Sequence, residues 1–499
     1  MNRFKSSPPE AQVVLSEKDI GHTNHLEQVS SNEERKDGDL EQGAGQRDWT
    51  PEEERKIVWK VDFRVFPMLC IVFGLSLLDR SNISAAFIAG MSTDLELTGT
   101  RYNIALLVFF IGYGLFELPS NYIIRRLGAR WWLSFLITTW GVCVLGMGFI
   151  DNWKLLSVLR ALLGVFEAGL FPGAVFIIGS WYRQYETARR ISIFYMAALL
   201  ASGFGPIFAY ALSLISVGNG KYQQGWRWIF IIEGIATIVA GLVSPFFLIE
   251  FPEKVRFLTD RQKYIALERL RLEKENREIV HPNMKQTLVM LCDFKLLLYS
   301  INYFIAASSV YSLAFFAPVI LRQGLQFSYT KAQLLSSPPY IFTIFASIAA
   351  AYVSDKIRLR WPILNFQALI AIIGLLVVLY AKPPGVRYFG LFLATYGTQG
   401  NVPATISYGQ NQTARLEKKG IVAAAMISAG AIGGICGSSI FRSQDAPQYL
   451  AGMWATIGMQ FLYIVNTSCL SWYFKRQNAR ADKGEVAVLE GVEGFRYAP

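Results

Sequence analysis

Histidine is nearly absent from this chain of 499 residues: His22, His25 and His281 are the only three, and all lie in polar stretches. Imidazole is therefore excluded as a proton switch in the apolar parts of the sequence, and a carboxylate has to serve. Cysteine is also sparse. Cys70, Cys143, Cys292, Cys436 and Cys469 are odd in number and have no C-x-x-C spacing, so they read as packing residues rather than a disulfide framework or a zinc site. There is no G-x-x-x-x-G-K-[ST], H-E-x-x-H or D-D-x-x-D motif, so neither a nucleotide loop nor a metal centre is expected, and no cofactor. An enzyme is the class with least support. Charge is scarce too, at 17% of residues against 53% apolar, with mean hydropathy +0.31. That balance excludes a soluble enzyme of this length and describes a protein that crosses a bilayer many times.

Apolar length is abundant. About 20 residues cross a hydrocarbon core, and twelve stretches of that kind centre near 65–87, 103–123, 131–150, 155–180, 191–215, 226–249, 295–320, 333–353, 362–381, 388–408, 420–440 and 449–474. The expected organisation is a disordered tail over 1–48, a six-helix bundle with a short lead-in helix over 49–249, a polar linker over 250–291, a second six-helix bundle over 292–474, and a tail over 475–499. The polar N-terminal region has no signal-peptide apolar segment, so the first span is expected to direct insertion. Thr50 with Glu53, and Thr259 with Gln262, have capping-box spacing and predict helix starts before the first span and within the linker. The run "GAIGGICG" (430–437) lies inside a span, where glycine permits close helix packing.

The net charge of +11 forms no aromatic-interleaved patch, so nucleic acid is excluded as a partner. Instead the basic residues alternate between loops. Arg125, Arg126 and Arg130 follow the second stretch, Arg183, Arg189 and Arg190 the fourth, Lys356, Arg358 and Arg360 the eighth, and Arg415, Lys418 and Lys419 the tenth. The intervening loops are poorer, with Arg101 after the first stretch, Lys154 after the third, and Lys382 and Arg387 after the ninth. By the positive-inside rule both termini and the linker are expected in the cytosol.

Six charged residues lie in the interior of the stretches, away from their first and last few positions: Asp79, Arg80, Glu117, Arg160, Glu167 and Glu233, all in the first half. Charges inside a bilayer are costly and face a pathway or a partner. Arg160 and Glu167 stand seven positions apart, on one helix face about 10 Å from each other. Counted along the helices, Asp79 and Arg160 come to the same depth and are expected to meet, as a coupling pair or as a fixed tie between helices. Glu167 lies near the midplane, where a bare carboxylate is expensive unless paired or protonated, and is the expected proton carrier. Glu117 and Glu233 are nearer span ends and are expected to serve structure or gating. Polar groups of the second half are neutral, among them Asn302, Tyr303, Tyr311 and Gln399, suited to the uncharged part of a ligand.

"NYIIRRLGAR" after the second span and "AAYVSDKIRLR" after the eighth resemble the paired cytosolic loop signatures of the major facilitator superfamily, with Arg130 and Asp355 at matching positions. Together with "WKVDFRVFPML", "LLDRSNIS", "FELPSN", "RALLGVFEAGLFPG", "GWRWIFIIEG" and "RSQDAPQYLAG", the chain resembles the fungal allantoate permease branch of the anion:cation symporters. The resemblance implies an all-α membrane protein of 12 transmembrane helices in a 6+6 fold, with a midplane site between halves that rock. It also implies proton-driven uptake of a small organic anion, such as nicotinate or allantoate. In related symporters the acid–arginine pair of span one and the arginine and glutamate of span four carry coupling and anion binding, which here correspond to Asp79, Arg80, Arg160 and Glu167. Burial and resemblance together assign substrate to Arg80, Arg160, Asn302, Tyr303, Tyr311 and Gln399, and proton coupling to Glu167 with Asp79. Glu117, Arg130, Glu233 and Asp355 take structural or gating roles. The expected state is a monomer in the plasma membrane, or alternatively the endoplasmic reticulum or vacuole, and its partners are the anion, protons and lipid. A facilitator or exporter of this fold, and a nutrient receptor that does not transport, are the alternatives. Ala431 stands where many relatives have asparagine, which leaves the substrate open.

Overall fold

The computed structural model describes residues 48–217, 220–252, 255, 257–275, 289–357, 359–413, 416–485, 488–490, 492 and 494–498. Among them all extended regular structure is helical. Twelve rods follow in order: Pro51–Ala86, continued by a π turn at Phe87–Met91; Arg101–Leu127; Ala129–Met147; Trp153–Glu167 with Leu170–Trp181; Gln184–Ser213; Gly225–Phe247; Phe294–Val319; Tyr329–Ile357; Trp361–Tyr380; Pro384–Gln399 with Asn401–Asn411; Leu416–Ile440; and Leu450–Asp482. They are called spans one to twelve below. A linker helix, Asp260–Glu275, lies between spans six and seven.

Among the described residues, eight of the rods are long and apolar enough to cross a membrane by length and composition alone. Spans two, ten and twelve carry amide side chains, for a reason their packing supplies. Asn103, Gln399, Asn401, Gln460 and Asn466 are all buried against protein, and a helix enclosed by other helices need not be apolar all round.

Helix starts follow the local chemistry. Thr50 Oγ1 accepts from the Glu53 N–H at 3.3 Å while Glu53 reaches back to the Thr50 N–H at 3.2 Å. Asn152 caps span four through the Leu155 N–H at 2.8 Å. Thr259 and Gln262 form the reciprocal pair that opens the linker helix. That helix is fastened to spans four and five by buried Arg269, which donates to the Trp181 carbonyl at 3.2 Å and to Glu186 at 2.6 Å.

Span three packs along span six, and span two on span four; span nine packs on span twelve, and span eight on span ten. Adding six to each member of the first pairs gives the second, so the two sets of six repeat one arrangement. Between the sets, span two meets span eleven and span five meets span eight, which the same rule exchanges. Four polar bonds across this seam lie at the span ends remote from the linker. Asn103 donates to the carbonyls of Ser438 at 2.7 Å and Phe441 at 2.6 Å, Tyr329 to Ser213 at 2.6 Å, and Gln333 to the Ala85 carbonyl at 3.0 Å. The seam is thus bolted on the face opposite the linker.

On the linker face, the C-terminal tail folds back over the second set. Glu490 sits between Lys295 and Lys418, the Tyr497 ring stacks on Phe474 at 4.5 Å, and the Ala498 N–H donates to Gln412 at 3.0 Å.

Candidate functional site

Span one brings Ser76 and Arg80, one turn apart, onto a shared face toward span four, while Asp79 is rotated by about 100° toward spans three and six. Span four breaks at Ala168 and Gly169, and Glu167 is the last residue of its first segment. This depth is reached because spans two and four approach backbone to backbone. A Cβ on Gly164 would stand 2.0 Å from the Phe109 carbonyl oxygen, and one on Gly169 would stand 1.8 Å from Ser120 Oγ.

The outcome is a buried ion pair. Arg80 Nε donates to Glu167 Oε1 at 2.6 Å, and Ser76 Oγ donates to the same oxygen. Glu167 is 0% exposed, and its Oε2 has no hydrogen-bond partner among the described residues. The guanidinium continues outward: Nη1 donates to the Tyr311 hydroxyl at 3.2 Å, and the plane lies over the rings of Tyr113 at 4.8 Å and Phe109 at 5.3 Å.

Arg80 forms part of the wall of a cavity of about 1060 Å³ between the two sets of spans. The cavity extends to Arg360, Gln410 and Lys419 at the linker ends of spans nine to eleven. Its described lining holds three cations, Arg80, Arg360 and Lys419, and no carboxylate. Aromatic rings from both sets contribute to the rest, including Phe73, Phe110, Tyr113, Tyr303, Tyr311 and Tyr340.

Of the residues singled out from sequence, Arg80, Tyr303, Tyr311 and Gln399 line this cavity. Arg160 and Asn302 do not. Arg160 is 1% exposed and donates to the backbone carbonyls of Asp79 and Arg80, both at 3.4 Å. Asn302 turns the other way and bonds Thr467 at 3.1 Å and Asn466 at 2.9 Å on span twelve. The expected tie between the Asp79 and Arg160 side chains is also replaced: Asp79 Oδ2 accepts from Trp140 at 3.0 Å and from Thr237 at 3.4 Å. Equal depth is not contact, since Asp79 points off the Arg80 face. Glu117 is partly buried outside the lining, Glu233 is buried within the first set, and Arg130 lies against the Trp131 ring at 5.2 Å. The Asp355 side chain lies outside the described residues. No cluster able to hold a metal occurs among the described residues.

Sequence reasoning missed Ser76, Tyr113, Trp140, Arg360 and Lys419. Ser76 could have been found from its i, i+4 spacing to Arg80, whereas Tyr113 and Trp140 carry no signal distinguishing them from packing aromatics. Arg360 and Lys419 had been counted only as loop charge.

Residues 69–438 match the model of the Major Facilitator Superfamily. The chain is 32% identical to the MFS transporter prlL of Fungal sp. (strain NRRL 50135) over 96% of both chains. It is 29% identical to the high-affinity nicotinic acid transporter of Saccharomyces cerevisiae, over 85% of this chain and 79% of that one. Among solved structures, the D-xylose-proton symporter aligns with TM-score 0.62 at 13% identity, covering 80% of this chain and 95% of its own. A bacterial homologue of the human lysosomal transporter Spinster, inward-facing and occupied, aligns with TM-score 0.58 at 17% identity over 85% and 86%. At these identities the two structures share the fold. The matched family model spans most of the rods described above, and this chain belongs to the Major Facilitator Superfamily, as a multi-pass secondary transporter with twelve spans in two sets of six.

Proposed function

We propose that this transporter is a proton-coupled importer of a small organic monoanion, with an aromatic or amide carboxylate of the nicotinate or allantoate kind as its substrate. This places it in the allantoate permease branch of the anion:cation symporters. The observation that carries the reading is Arg80, which is bonded to the buried Glu167 and also part of the cavity wall. One guanidinium is thus contested by an internal carboxylate and by any anion in the cavity. Three cations without a carboxylate in the lining favour an anionic ligand, and the many rings favour a planar one. The nicotinic acid relative agrees in substrate class, and the sequence motifs point to the same branch.

In this reading a proton on Glu167 weakens its hold on Arg80, and the guanidinium turns its N–H groups to the substrate carboxylate. The buried pair is costly to break without that proton, because each charge would be left alone in a dry site. Proton and anion therefore bind together. Tyr311 steadies the guanidinium from the second set of spans, so occupancy of Arg80 is felt across the seam. With the basic loops in the cytosol, the bolted face is extracellular and the cavity faces inward. The plasma membrane is the proposed location.

Glu167→Gln tests this. The amide imitates the protonated acid, so exchange of internal for external substrate should survive, because it cycles only the loaded form. Net accumulation driven by a pH gradient should be lost, because it requires proton release. Gradient-driven uptake with normal pH dependence in this variant would remove Glu167 as the carrier. Downhill flux alone in the unmodified protein would mark a facilitator, and signalling without flux a receptor.

A further inference from the structure

Behind Arg80, away from the cavity, three carboxylate oxygens have no hydrogen-bond donor among the described residues: Oδ1 of Asp79 and both oxygens of Glu233. Asp79 is 2% exposed and Glu233 is 6% exposed, and neither lines the cavity. Thr237, which bonds Asp79 Oδ2, stands one turn after Glu233 on span six. The two carboxyls are therefore neighbours across spans one and six.

The surrounding charges do not answer both. Arg80 is engaged by Glu167, and Arg160 directs its two terminal nitrogens to backbone carbonyls, while its Nε meets no acceptor among the described residues. Arg227, at the far end of span six, is met by Asp151 at 3.2 Å and by the carbonyls of Gly148 and Ile150. Glu117, the remaining acid near Arg80, keeps partial exposure. Among the described residues, the buried set at the centre of the first half is then two arginines, Arg80 at the cavity wall and Arg160 behind it, against three carboxylates, Asp79, Glu167 and Glu233. One negative charge is left over. An uncompensated charge in a dry core is among the most expensive arrangements a fold can hold, and a proton removes the excess. The same proton supplies a donor where three acceptors have none.

We propose that Asp79 and Glu233 share one proton that stays with the protein throughout transport, so that the buried set is neutral when the carrier is empty. A second proton, on Glu167, is then matched by the negative charge of the substrate on Arg80, and the loaded carrier is neutral as well. The shared proton needs no assumption about transport. The balance of the loaded state rests on the proton-coupled reading above and predicts electroneutral symport of one proton with each monoanion.

The test has two arms. Infrared spectra of the full chain in a detergent without ester groups, at about pH 8 and far above the ordinary carboxyl range near 4, should contain a carboxylic acid C=O band. That band should be lost or shifted in Glu233→Gln and in Asp79→Asn, and kept in Glu167→Gln. Absence of the band, or a band indifferent to both dyad variants, overturns the proposal. If Glu233→Gln does not fold, Asp79→Asn decides. In vesicles, Glu233→Gln should keep the proton-to-substrate ratio of the unmodified protein, with uptake insensitive to membrane potential. A ratio lower by one proton would show that the dyad proton is cargo, and would overturn its residence. Uptake indifferent to pH in the unmodified protein would reject proton coupling, and the infrared arm would still judge the dyad.

Discussion

Replacing Arg80 by lysine retains the charge but removes the fork. In the structure Nε is bonded to Glu167 at 2.6 Å while Nη1 reaches Tyr311 at 3.2 Å, and the plane rests on Tyr113 and Phe109. An ammonium placed against Glu167 has no planar edge left for a carboxylate in the cavity. The loss is at least one charge-assisted hydrogen bond, worth about 1.5–3 kcal/mol. At about 1.4 kcal/mol per tenfold change, the KM for the anion should rise roughly ten- to 150-fold. Initial-rate uptake of labelled substrate across a concentration series measures this, with surface abundance followed in parallel because the buried pair with Glu167 can still form. A variant with unchanged KM, however slow, would show that the substrate does not lean on Arg80, and the anion-holding role would pass to Arg360 or Lys419 at the cavity mouth.

Asn302→Ala should leave KM unchanged and cost about 1–3 kcal/mol of stability, because Asn466 and Thr467 lose a buried partner; a changed KM with normal melting would return Asn302 to the site. Gly164→Ala should cost about 1–3 kcal/mol or more, since its Cβ meets the Phe109 carbonyl, whereas Gly179→Ala has nothing within 4 Å and should be neutral in the same thermal-shift assay. For the tail, partial burial works to raise the Glu490 carboxyl, but the hydrogen bonds and charges of Lys295 and Lys418 prevail and hold it below the usual glutamate range. Docking gains from this at every pH above that of a free glutamate, about 4.3, and loses it as pH falls through the lower, docked value. Limited proteolysis should therefore cut the tail below about pH 4 but spare it near neutrality, and Glu490→Gln should expose it at neutral pH.

Much was legible without coordinates. The helical class, the twelve rods and the alternation of basic loops follow from composition along one dimension, because hydrocarbon thickness sets span length and a charge inside it is costly wherever it sits. The same cost singled out Arg80, Arg160 and Glu167 before any packing was known. Capping boxes at Thr50 and Thr259 were readable because their partners lie three residues away. Directions across the bundle were not readable. Asp79 and Arg80 are adjacent in sequence yet belong to different neighbourhoods, since one residue turns a helix by about 100°, and only the packing of spans three, four and six decides what each one meets. Depth alone suggested Asp79 with Arg160, and the rotation of span one about its axis selected Arg80 with Glu167 instead. Asn302, one residue from the cavity-lining Tyr303, turned away for the same reason. Hydropathy and charge determined which residues are expensive to bury, while the tertiary structure alone decided which of them compensate one another, because compensation depends on distances of a few ångströms between helices remote in sequence.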